Sequence, residues 1–205
     1  MLEAKHHPIV YPFFRHYTEH LLRRHFCDVR IVGDLVDRGQ PILLIANHVG
    51  WWDGFWAMHL RNKVFGRKFY FMMREDQLLR YRFFNLTGGF SVNKGSREVL
   101  KTLDYTSKLL DDKLNMVLIY PQGRLQSLYR SEFVFQKGIE RLINGREGRV
   151  QIVLSVNMID YIANKKPTVT MYIRDFGGEL TREALERDYN EFYANCLKIQ
   201  TDIEG

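Results

Sequence analysis

Cysteine and proline are scarce in this chain: two and five among 205 residues. Cys27 and Cys196 lie far apart and in no Cys-x-x-Cys pattern. No disulfide framework and no cysteine-built zinc site is therefore predicted, and two reduced thiols in a cytoplasmic protein fit the count. No uninterrupted apolar run reaches the ~18 residues that a bilayer span needs, and residues 1–10 lack the apolar stretch of a secretory leader. Internal repeats, low-complexity stretches and Pro- or Ser-rich linkers are missing too. One domain over residues 1–205 is the expected organisation.

What the chain does have is charge of one sign and many rings. The formal net charge is +6 and aromatics make up 14%. That balance favours an anionic partner: a phospholipid surface, a phosphate-bearing substrate, an acidic carrier protein or nucleic acid. Residues 11–26 read as an amphipathic helix, with Phe14, Tyr17, Leu21 and Leu22 on one side and Arg15, Glu19, Arg23 and Arg24 on others. Such a helix suits a membrane surface. Within it, His16-Tyr17-Thr18-Glu19-His20 matches a zinc-peptidase spacing. The match is short and has no third-ligand motif downstream, so no metal site is assigned.

Apolar strand-like runs then alternate with helical periods. Strands are predicted at 29–32, 41–46, 68–73, 90–92, 115–120, 150–156 and 169–173. Helices are predicted at 52–60, 76–84, 97–112, 138–143 and 181–199. In the helix over 97–112 the apolar stripe is Val99, Leu103, Thr106 and Leu110, widened by Leu100. This order predicts an α/β fold, a mainly parallel sheet flanked by helices.

Three constellations fall at strand ends, where open α/β sheets bind ligands. Asn47-His48-Val49-Gly50-Trp51-Trp52-Asp53 follows the run 41–46. A carboxylate there can accept from one imidazole nitrogen and leave the other as a base; helix capping by Asp53 is the plain alternative. Gly88-Gly89 precedes the strand 90–92, and Lys94 and Arg97 follow it. The two glycines would let backbone approach a ligand closely, and the cations could hold an anion. Tyr120-Pro121-Gln122-Gly123-Arg124 follows the run 115–120. A tight turn there could aim amides at an anion and let Arg124 pair with phosphate.

Together these blocks resemble the glycerolipid acyltransferase superfamily, of which 1-acylglycerol-3-phosphate acyltransferases are the best-known class. The family's Asn-His-x4-Asp stands complete at Asn47, His48 and Asp53. Its second block ends in Arg, where this chain has Lys94. Its third block reads Phe-Pro-Glu-Gly-Thr-Arg-Ser, where this chain has Tyr120-Pro121-Gln122-Gly123-Arg124-Leu125-Gln126-Ser127. Phe135-Gln136-Lys137-Gly138 is similar to the Phe-x-x-Gly that opens the next helix. The fourth block falls on Ile152–Asn157 without its proline. The resemblance covers residues 30–160.

The resemblance implies transfer of a fatty acyl group from an acyl-CoA or acyl-carrier-protein thioester to a hydroxyl of a lyso-lipid or related acceptor. It makes His48 the general base and Asp53 the residue that orients it. Lys94, Arg97, Gln122, Gly123 and Arg124 would bind substrate. No cofactor, metal or nucleic acid is implied. The expected setting is cytoplasmic, peripheral on the inner face of a membrane. A non-catalytic peripheral lipid-binding protein on the same fold is the alternative. It fits the complete His48/Asp53 pair poorly, because a degenerate descendant would lose that pair first.

Overall fold

The computed structural model describes residues 1–93 and 98–203. Its centre is β2 (Ile42–Ala46), whose five side chains are all buried. A strand made only of Ile, Leu and Ala buries both faces, which suits the middle of a parallel sheet. Each fully buried Leu or Ile contributes roughly 1.5–3 kcal/mol. On one side β2 pairs in parallel with β5 (Asn115–Ile119), on the other with β6 (Gln151–Asp160). β3 (Lys68–Arg74) and β4 (Gly89–Val92) extend the sheet beyond β5. β7 (Thr168–Asp175) returns antiparallel on β6, and β1 (Asp28–Val32) closes that edge parallel to β7. The order across the seven strands is β1-β7-β6-β2-β5-β3-β4. The exposed–half-buried alternation of β1 marks an edge strand with one face toward solvent.

Helices cover both faces. On one, α1 (Val10–His25) and α2 (Asp53–Leu60) pack with a π turn over Arg61–Phe65 and a 3-10 turn over Arg82–Leu86. On the other lie α4 (Glu98–Leu109), α5 (Glu140–Ile143) and α6 (Arg182–Thr201). Thr181 caps α6 by accepting from the Ala184 amide at 3.2 Å. The predicted mainly parallel α/β sheet is the one found.

Three local expectations change. The helix predicted over 76–84 is split into α3 (Glu75–Arg80) and the 3-10 turn, with Tyr81 between them. In α4 Leu100 is exposed, and the covered side carries Thr102 and Thr106, with Leu110 just beyond the helix end. Thr106 and Leu110 belong to the expected stripe and Thr102 does not; both threonine hydroxyls donate to main-chain carbonyls, which satisfies them in the core. In α1, Phe14 and Leu22 are consumed by the core, while Phe13 and Tyr17 stack on the outer side, centroids 5.8 Å apart. Glu19 turns inward too. It contacts His59 Nδ1 at 2.9 Å and accepts from Asn62 at 2.9 Å, tying α1 to α2 and the π turn, while His16 and His20 are exposed.

Candidate active site

Strand register brings the first and third constellations together. Ile45 lies opposite Ile119, so the chain leaves β2 and β5 at one level. Two residues beyond Ala46 comes His48, and one beyond Ile119 comes Tyr120. Their rings stack, centroids 4.1 Å apart with 10° between planes. The loop after β5 also holds the His48 backbone, because the Gln126 amide donates to the His48 carbonyl at 2.9 Å.

On β2's other side Ala46 lies opposite Ser155. Asn47 therefore meets the main chain of β6 at Asn157. It donates to the Asn157 carbonyl at 2.9 Å and accepts from the Asn157 amide at 2.8 Å. Asn47 is buried, and this two-bond clasp satisfies it where β2 ends.

Asp53 is the first residue of α2, and its carboxylate is almost fully buried. It accepts from the Val49 amide at 2.7 Å and the Gly50 amide at 3.0 Å, and its Oδ2 lies 2.6 Å from His48 Nδ1. A carboxylate that takes two amide N–H groups is an acceptor, so Nδ1 is the donor. In a neutral imidazole with this tautomer, the other ring nitrogen carries the lone pair. The His48 side chain is 29% exposed, so the ring is reachable from outside. This geometry suits a general base oriented by a carboxylate. The capping alternative does not hold: Trp52 is the N-cap of α2 and no side chain caps it, whereas Asp53 ties the loop amides of Val49 and Gly50 to the imidazole.

The Tyr120 hydroxyl and the Gln122 amide are further buried polar groups. The Tyr120 hydroxyl is buried without a hydrogen-bond partner among the described residues. Burial, with lesser contributions from Asp53 and Tyr189, pushes its pKa well above the ordinary range. Gln122 is buried, and neither end of its amide has a partner among the described residues. Both residues line a cleft of about 1040 Å³. The cleft has apolar walls from Met72, Val92, Leu103 and Leu142, and Arg124, Arg130 and Lys137 stand exposed along it.

The predicted site residues therefore divide. His48 and Asp53 are in direct contact; Gln122, Gly123 and Arg124 line the adjoining cleft. Lys94 and Arg97 lie outside the described residues. Two chemical expectations are corrected. The Gly123 amide donates to the Tyr120 carbonyl at 2.9 Å, closing the turn, so it is not free for an oxyanion. The Gly88-Gly89 pair approaches the protein itself: a Cβ on Gly88 would fall 2.0 Å from the Phe69 carbonyl oxygen, and one on Gly89 2.7 Å from that of Phe84. Gly138 of the Phe-x-x-Gly segment serves packing in the same way, with a Cβ meeting Leu103 at 3.0 Å. The sequence reading missed the stacking of Tyr120, the polar end of Gln126 and the cleft cations Arg130 and Lys137. Only strand order reveals the first, and only the loop's path the others.

An α/β sheet that carries this His–Asp pair at its strand ends defines the class, and the family model described as Acyltransferase matches residues 28–173, more than half of the chain. The chain belongs to the acyltransferase family. Among solved structures it is similar to PlsC from Thermotoga maritima, a 1-acyl-sn-glycerophosphate (LPA) acyltransferase. The TM-score is 0.60 at 12% identity, over 95% of this chain and 81% of that one. At that identity the likeness is one of fold. No curated protein matches the chain.

Proposed function

We propose that the chain transfers a fatty acyl group from a thioester of coenzyme A or acyl-carrier protein to a lipid hydroxyl, with His48 as base. The observation that carries this reading is the His48–Asp53 contact at 2.6 Å beside a large cleft with apolar walls and a cationic side. The free ring nitrogen takes the hydroxyl proton as the oxygen attacks the thioester carbonyl. Asp53 stabilises the imidazolium, which then gives its proton to the departing thiolate. The new ester forms as the thioester breaks, and the base is regenerated without a covalent enzyme intermediate. No cofactor or metal enters this reading.

A membrane surface is the proposed place of work, cytoplasmic and peripheral. Because the inner stripe of α1 is used in the core, the lipid-facing surface is its outer side. Phe13 and Ile9 are strongly exposed, as is Trp51, three residues beyond His48. The Phe14 and Phe55 rings, 5.8 Å apart, join these positions beneath the surface, and Trp51 lies 6.4 Å from Phe55. Exposed aromatic groups with Arg23 and Arg24 in the last turn of α1 suit an anionic bilayer surface.

The acceptor reading follows from the third block. Gln122 stands where the family has Glu, and Arg124 where it has Thr. We expect weak use of lysophosphatidate and better use of another hydroxylated lipid, such as a lyso-aminolipid or glycolipid. Competition among lyso-lipids for one acyl thioester tests this, and a strong preference for lysophosphatidate would refute it. The broader reading is tested by lipid analysis of a strain lacking the protein, restored with the natural chain or with His48→Ala. A lipid product restored only by the natural chain supports it; equal restoration by both chains favours the non-catalytic lipid-binding alternative.

A further inference from the structure

The groups left without partners in a folded protein are informative, because a buried donor or acceptor without a partner destabilises the fold. Gln122 has one of each. It is only 2% exposed, it lines the cleft, and both its Nε2 and its Oε1 lack a partner among the described residues. Exchanging the two ends of the amide would leave both still open. Four residues on, the Oε1 of Gln126 is also buried and has no partner among the described residues, in the loop whose amide holds His48.

The chemistry of the missing partner follows from these atoms. A phosphate or carboxylate could accept from Nε2 but would face Oε1 with like charge. A water or hydroxyl presents one oxygen, which meets one end of the amide well and the other poorly. A secondary amide presents an N–H and a C=O of its own, so it can answer a donor and an acceptor that belong to one planar group. We propose that Gln122 binds a secondary amide of the substrate, and that this neutral contact, rather than an anion contact, is its role in the cleft. The inference rests on the acyl-transfer reading for its substrates. The amide can come from two sources: the pantetheine arm of the thioester donor, or an amide linkage in the lipid acceptor.

Equilibrium binding separates the sources and needs no turnover. Two ligand pairs are titrated into the natural chain, Gln122→Met and Gln122→Glu. The donor pair is the S-hexanoyl thioester of N-acetylcysteamine, which keeps one pantetheine amide, and that of ethanethiol, which has none. The acceptor pair is an amide-linked lyso-lipid and its ester-linked counterpart. In one pair the natural chain should bind the amide member roughly ten- to hundredfold more tightly, the scale expected when a buried polar group goes unpaired. Gln122→Met should erase that preference and melt no lower than the natural chain, since it removes a buried polar group without removing any bond within the protein. Gln122→Glu, which accepts but does not donate, should weaken the preference. Equal binding of both members in both pairs overturns the proposal, and so does a preference that survives in Gln122→Met. Failure of acyl transfer itself would appear separately, as turnover by the natural chain no faster than by His48→Ala.

Discussion

The Tyr120 ring lies flat on the His48 imidazole, 4.1 Å between centroids and 10° between planes. A π face at that distance limits rotation of the imidazole and holds it in place, an interaction of roughly 0.5–1.5 kcal/mol. Tyr120→Phe keeps the face and removes a buried hydroxyl that has no partner among the described residues. Its kcat should stay close to that of the natural chain. Tyr120→Leu loses the face, and its kcat should fall roughly 3- to 30-fold with the fold retained. Equal activity of Tyr120→Leu and Tyr120→Phe would remove stacking from the account.

Asn47 holds the end of β2 to the main chain of β6. Asn47→Ala breaks both bonds and leaves a buried N–H and C=O unpaired, a loss of roughly 2–4 kcal/mol. Asn157→Ala should cost far less, because the clasp uses the Asn157 backbone, while its side chain accepts from Ser155 Oγ at 3.1 Å. Urea melts of both variants check the asymmetry.

Much of this was legible beforehand. The seven strands and the His48–Asp53 pair lie within one local stretch each, where periodicity and spacing speak directly. The contacts that complete the site do not. Tyr120 reaches His48 because β5, far away in sequence, is the strand that inserts beside β2. The glycines at 88 and 89 showed that space was needed there, but not that the Phe69 and Phe84 carbonyls fill it. Residues 14 and 22 of α1 showed an apolar face without showing whether protein or lipid covers it.

The two thiols should behave differently. Cys196 is buried on α6, and burial raises its pKa to about 12, so at pH 8 it is protonated as well as shielded. Cys27 is exposed. Iodoacetamide at pH 8 should label Cys27 in the native protein and both residues in denaturant, as read by mass spectrometry. Rapid native labelling of Cys196 would contradict the packing of α6.

If the outer aromatic groups touch lipid, replacing Phe13 and Trp51 together by Ser should weaken binding to anionic vesicles while leaving the melting temperature nearly unchanged. Flotation with vesicles at low salt provides the measurement. Undiminished flotation of the double variant would move the lipid-facing surface elsewhere.

The central claim is that His48, held by Asp53, takes the proton from the acceptor hydroxyl. Its most direct test is the steady-state rate of acyl transfer from acyl-CoA to the best acceptor found, for the natural chain, His48→Ala and Asp53→Asn. His48→Ala should lower kcat by roughly two to four orders of magnitude, the range of general-base catalysis, with the melting temperature little changed. Asp53→Asn should lose most of the same activity, because the pair acts as a unit. Near-normal turnover by a folded His48→Ala protein would contradict the account.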